Sequence, residues 1–114
     1  MVDRAALAPR LRCLGVATVL GLEVPVAAGF RARLHGLAYL DPEEAGAGLL
    51  IPRCSSVHTF GMRFPLDVYF LDENLSPLAV HREIPARRLV SHRGAGAVLE
   101  IPAVEGGEFS SPRS

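Results

Sequence analysis

Val57-His58-Thr59-Phe60-Gly61-Met62-Arg63-Phe64-Pro65-Leu66-Asp67-Val68-Tyr69-Phe70-Leu71-Asp72 is the stretch that decides how this chain is read. The run is apolar and rich in aromatics, as core strands are, yet it carries a His, an Arg and an Asp, with the Cys54 thiol just upstream. Charged side chains are seldom buried without a partner. The polar groups therefore mark either a satisfied structural network or a site. Pro65 divides the run into two strands, at about 57–62 and 66–71, with a bend between them. On the first strand, His58, Phe60 and Met62 would share one face, and Val57, Thr59, Gly61 and Arg63 the other.

Working outward, Asp72-Glu73-Asn74-Leu75 predicts a turn, with Asn74 best suited to a left-handed backbone. Leu78–Arg82 then returns as the second strand of a hairpin. Residues 88–91 and 97–101 read as two more strands, with Gly94 and Gly96 in the turn between them. Upstream, Leu49-Leu50-Ile51 reads as a buried strand closed by Pro52. It is preceded by a loop, residues 41–48, punctuated by Pro42, Gly46 and Gly48. Phe30, Leu34 and Leu37 fall at i, i+4 and i+7, which predicts a short amphipathic helix over residues 28–35, ended by Gly36. Its cationic Arg33 and His35 suit the last turn of a helix.

Near the N-terminus, Arg10 and Arg12 precede the apolar residues 13–22, and Val26-Ala27-Ala28 has the look of a cleavage site, a signal-like pattern. Glu23 and Pro25 interrupt that run, and Leu20, Leu22 and Val24 alternate with Gly21 and Glu23 as a half-buried strand does. The strand reading is the one adopted. Many short strands and one helix predict an α+β, mainly β domain, either a compact curved antiparallel sheet or a small barrel. Leu50, Phe60, Val68, Phe70, Val80 and Leu99 are its expected core. Residues 1–104 are read as a single domain, and residues 105–114, which lack apolar periodicity, as a disordered tail.

Composition narrows the function classes. The chain has 114 residues, 12 basic and 12 acidic, so its formal net charge is zero. Every basic residue is Arg. A neutral chain has no global bias towards nucleic acid or an anionic membrane, and no segment is long and apolar enough to span a bilayer. The most basic segment, His81–Arg88 with His92 and Arg93, has no aromatic stacking residues beside it, so no nucleic-acid partner is expected. Two cysteines, Cys13 and Cys54, are too few for a disulfide framework. A cytoplasmic location follows from them, with export through the signal-like segment as the alternative.

Three segments taken together resemble a known family. LGLEVPVAAGFRARLHGLAYL, GLLIPRCSSVHTFGMRFPLDVYFLDENLSPLAV and GAVLEIPA, in that order, are similar to DUF192 (also called UPF0127), a family of small bacterial and archaeal proteins, over about residues 16–103. The carrying motifs are the strand and helix ending in Gly-Leu, His-Thr-Phe-x-Met, Pro-Leu-Asp with its apolar strand, and Val-Leu-Glu-Ile-Pro. The resemblance implies no activity, because the family has none established. This chain departs from it at Asn74-Leu75, where members commonly carry Gly, at Gly61, where Trp is more usual, and after Ala103, where members often continue into a Gly-Asp segment.

The candidate ligand-binding residues are Cys54, His58, Phe60, Met62, Arg63 and Asp67. His58 has the chemistry of a general base or metal ligand; it equally fits a strand histidine bonded to backbone. Asp67, after Pro65-Leu66, is placed either to lock a bend or to act in chemistry. Arg63 is suited to clamp a carboxylate or phosphate, or to pair with Asp67 or a Glu. Cys54 lies in the loop Pro52–Ser56, whereas Phe60 and Met62 also read simply as core. His58, Arg63 and Asp67 are expected in one surface-reaching pocket with Cys54 on its edge. No Walker loop, dinucleotide fingerprint, nucleophile elbow or His-Glu-x-x-His occurs, and Cys-x-x-x-His supplies too few ligands for zinc. No cofactor or metal is expected. The leading reading is a small non-catalytic binding or accessory domain for a small molecule or protein partner. The alternative is a hydrolase-like or metal-dependent enzyme using Cys54, His58 and Asp67.

Overall fold

The apolar run after Pro65 organises the sheet. In the computed structural model, which describes residues 6–103, the elements in chain order are α1 (Pro9–Arg12), β1 (Gly15–Val19), β2 (Leu22–Val26), α2 (Phe30–His35), α3 (Pro42–Ala45), β3 (Leu49–Pro52), β4 (Ser56–His58), β5 (Leu66–Leu71), β6 (Pro77–Ile84), β7 (Leu89–Ser91) and β8 (Ala97–Pro102). Six strands form one sheet in the order β1-β2-β3-β8-β5-β6, and β4 pairs with β7 in a separate two-stranded sheet. Every pairing is antiparallel except β2 with β3, which meet at Val26 and Leu50. Parallel neighbours require a long crossover. Residues 27–48, which contain α2 and α3, supply it.

The fold class is α+β and mainly β, as the sequence predicts, but the sheet is mixed and open at β1 and β6. It is not a closed barrel. β5 lies between β6 and β8 and is covered on both faces, which explains its nearly continuous apolar sequence. Leu66, Val68 and Phe70 join Leu49, Ile51, Val98 and Leu37 in the larger cluster on one face. On the other face, Leu71 joins Leu50, Leu99, Val19 and Val24. Burying a side chain of this size contributes about 1.5–3 kcal/mol, so these two layers carry most of the fold.

The β1–β2 hairpin occupies the segment that also has a signal-like pattern. Its turn is Leu20-Gly21, both at positive φ (50° and 82°), as a tight two-residue hairpin turn demands. Leu20 is therefore a turn residue and not part of the strand alternation. No helix of the described residues is long and apolar enough to cross a membrane.

Several expectations need correcting. Phe60 and Val80 are not core: they are 54% and 40% exposed. The first central strand ends at His58, because the chain turns there, with the Met62 N–H donating to the Thr59 carbonyl at 3.2 Å. His58, Phe60 and Met62 consequently do not share a strand face. Val80 points outward from the edge strand β6, whose inward positions are Ala79, His81 and Ile84. Leu34 is exposed on α2, and Leu37 reaches the core only from beyond the helix end. At the β5–β6 turn the left-handed residue is Leu75 (φ 65°), not Asn74. Asp72 Oδ1 holds that turn by accepting the Asn74 and Ser76 N–H groups at 2.8 and 3.0 Å. The expected loop 41–48 includes the single-turn α3, where Glu44 Oε1 accepts the Asp41 N–H at 2.8 Å. The Phe30 side chain and the tail 105–114 lie outside the described residues.

Candidate functional site

The two sheets are clasped by one threonine. Thr59 is fully buried, donates its hydroxyl to the Pro85 carbonyl at 2.7 Å and accepts the Arg88 N–H at 2.8 Å. Its own N–H donates to the Arg88 carbonyl at 2.8 Å. This clasp fixes the start of the 59–62 turn against the β6–β7 connection. It thereby sets where β4 and Met62 stand relative to the main sheet.

Between those elements and the end of α2 lies a cleft of about 300 Å³. Leu34, Leu37, Ile51, Val57 and Met62 supply its apolar lining, and Arg33, His35, Cys54, Ser56 and His58 the polar one. Glu100 of β8 also lines it. Glu100 shares the α2-side face of the strand with Val98, and its cross-strand neighbours are the apolar Leu49 on β3 and Val68 on β5. The residue is only 3% exposed, and its Oε1 has no hydrogen-bond partner among the described residues.

Burial without a counter-charge dominates the electrostatics of this carboxyl. Desolvation raises the Glu100 pKa to about 7, opposed in part by the Leu37 backbone N–H that donates to it. The turn after α2 approaches Glu100 closely. A Cβ built on Gly36, whose φ is +52°, would stand 3.0 Å from Glu100 Oε1. Only glycine both adopts that backbone at ease and avoids crowding that oxygen with a Cβ. Arg10 braces the turn from behind, its Nη2 donating to the carbonyls of Ala38 at 2.7 Å and Gly36 at 3.2 Å.

The candidates read from the sequence are divided among four places. Cys54, His58 and Met62 line the cleft. Phe60 stands outside it, its ring 5.4 Å from that of His58. Arg63 and Asp67 do not pair with each other. Arg63 Nη1 meets Asp41 Oδ1 at 2.9 Å in a half-exposed pair, whereas Asp67 accepts the Glu83 N–H at 2.8 Å and lies 3.4 Å from Arg82 Nη1. Arg82 also lies over the Tyr69 ring, at 5.9 Å from its centroid. The Cys54 thiol donates to the Ser56 carbonyl at 3.2 Å, and His58 Nδ1 accepts the Phe60 N–H at 3.2 Å. That bond places the proton of a neutral His58 on Nε2. Among the described residues no group of three or more His, Cys, Asp or Glu side chains is placed to hold a metal ion.

Glu100, Arg33, His35 and Gly36 also line the cleft, and the sequence does not single them out as binding residues. One signal was available for Glu100: a carboxylate inside Ala97-Val98-Leu99-Glu100-Ile101 breaks an apolar strand as surely as Asp67 breaks its own. For Gly36 and the α2 residues nothing in the local sequence sets them opposite β8.

Comparison with known proteins adds a family and a fold. The DUF192 family model, described as "Uncharacterized ACR", matches residues 15–109. No curated protein matches. Two solved structures are similar. One is a protein of unknown function from Novosphingobium aromaticivorans DSM 12444, 18% identical over 98% of this chain and 94% of that one, with a TM-score of 0.58. The other, from Sinorhizobium meliloti 1021, is named as a candidate transcription regulator. It is 19% identical over 85% of this chain and 84% of that one, with a TM-score of 0.60. At such identities the likeness is one of fold alone.

Proposed function

We propose, from the premise that this chain belongs to the DUF192 family, that it is a non-catalytic domain binding a small molecule in the cleft between α2 and the β3–β8 face. The observation that carries the reading is the buried Glu100 Oε1, left without a partner among the described residues, in a carboxyl group on the wall of an open cleft. Polar atoms buried for folding alone are nearly always paired within the protein or with water. The cleft's volume lies at the lower end of the range for small-molecule sites, and its mixture of apolar walls with a few convergent polar groups is typical of them.

The enzyme alternative draws less support from the geometry. A nucleophilic triad of Cys54, His58 and Asp67 requires successive hydrogen bonds. Here the thiol donates to Ser56, His58 Nδ1 is occupied by Phe60, and Asp67 is held by Glu83 and Arg82. Cys54 and His58 serve the binding reading as parts of the cleft wall instead.

A thermal-shift screen of small metabolites on wild type and His58→Ala tests the proposal. A ligand at 100 times its Kd stabilises the folded state by about 2.7 kcal/mol. Hits should raise the wild-type Tm, raise that of His58→Ala less, and slow alkylation of Cys54. If no compound shifts the Tm, or if every hit leaves His58→Ala and the Cys54 alkylation rate unaffected, the cleft is not a binding site.

A further inference from the structure

We infer that the group recognised at the base of this cleft is a primary ammonium, donated to Glu100 Oε1 by a small ligand whose apolar body lies against Leu37, Ile51, Val57 and Met62. The inference rests on the reading that the cleft binds a small molecule, and it names the class of that molecule.

Three structural facts point to it. Glu100 Oε1 is an acceptor with no donor, in a carboxyl group flanked by Leu49 and Val68 and covered by the Gly36–Leu37 turn. A side chain at residue 36 would crowd that oxygen, because its Cβ would fall 3.0 Å away. Among the described residues no ion pair reaches it: Arg33, which lines the same cleft, has its Nη2 committed to the Arg53 carbonyl at 2.7 Å. That oxygen thus has neither a donor nor an ion-pair partner among the described residues. An ammonium provides both, in a charge-assisted hydrogen bond, whereas a hydroxyl provides only the first.

Proton linkage follows. Because burial holds the Glu100 pKa near 7, an ammonium ligand must displace a proton from the fraction of molecules that carry one. Apparent affinity should fall about tenfold from pH 8 to pH 6 through Glu100 alone. Other titratable or charged groups face the same cleft: Arg33 and His35 from α2, Cys54 from the loop after β3, and His58 from β4. Arg10 of α1 stands behind the Gly36 turn. These groups also bear on the charge of the cleft, so the Glu100 contribution has to be isolated.

Butylammonium, butan-1-ol and butyrate, equal in apolar body and different in head group, separate the possibilities in a ¹H–¹⁵N NMR titration at pH 8. Butylammonium should bind most tightly and shift the Leu37 and Glu100 amides. At pH 7 it should also drive the Glu100 carboxyl ¹³C signal of the wild type to its ionised position, a readout that needs no variant. In Glu100→Gln the preference for butylammonium should disappear, together with most of the pH dependence. If butanol or butyrate binds at the cleft as tightly as butylammonium, the ammonium inference is overturned while the binding site stands. If all three are silent at Leu37 and Glu100, the inference also fails, and the broader metabolite screen then decides whether the cleft binds anything.

Discussion

Replacing Glu100 with Gln should stabilise the protein at alkaline pH and leave it nearly unchanged in acid. The folded-state pKa of Glu100 is raised from an ordinary 4.5 to about 7. Between these values the folded state holds a proton that the unfolded chain has released, so stability falls as pH rises. The loss begins near pH 4.5 and is complete somewhat above pH 7. The full difference corresponds to about 3 kcal/mol at about 1.4 kcal/mol per pH unit, as an order of magnitude. Gln is isosteric with the protonated acid and can still accept the Leu37 N–H, but it never ionises. Urea denaturation of both proteins at pH 4 and pH 8.5 gives the test. The Gln variant should match wild type within about 1 kcal/mol at pH 4 and exceed it by about 3 kcal/mol at pH 8.5. A gap that stays constant across that range would mean that Glu100 is solvated or paired, and would remove the physical basis of the site.

Other substitutions probe the framework. Thr59→Val should destabilise by about 2–3 kcal/mol in urea, because the Pro85 carbonyl and the Arg88 N–H both lose their buried partner. Gly61→Ala should cost about 1–2 kcal/mol, since residue 61 sits at φ +81° and a Cβ there would fall 2.7 Å from the Tyr39 ring. Arg63→Ala, by contrast, should change stability by less than about 0.5 kcal/mol, because its pair with Asp41 is half exposed on both sides. It should also leave ligand binding in the cleft intact.

The strands were legible where the pattern was local. The run Leu66–Leu71, its return strand and Ala97–Ile101 declare themselves by β-branched and aromatic content between turn residues. What misled was the assignment of inside and outside. Alternation in Leu78–Arg82 suggests that Val80 faces the core, because it is the most apolar residue of its set. The core instead takes the smaller Ala79 and the ring of His81, which meets Phe70 edge-on at 5.5 Å. Phe60 looks like a strand residue until the Thr59–Met62 turn removes it from the ladder. The site was legible in part for a related reason. Cys54, His58 and Met62 lie within a few residues of one another, and the turn brings them to one wall. Arg63 and Asp67, equally close in sequence, are carried off by partners at Asp41 and at Arg82 and Glu83. Glu100 and Gly36 meet only because the β2–β3 crossover lays α2 over β8, a long-range contact that no local periodicity records.

A buried, ionisable carboxyl with no counter-charge among the described residues lies at the base of the cleft. An NMR titration of the Glu100 side-chain ¹³C carboxyl signal in the ligand-free protein tests it most directly. A midpoint near 7 is expected, with the Leu37 amide shifting over the same range because its N–H donates to that group. A midpoint near 4.5, the ordinary value for a solvated glutamate, would contradict it.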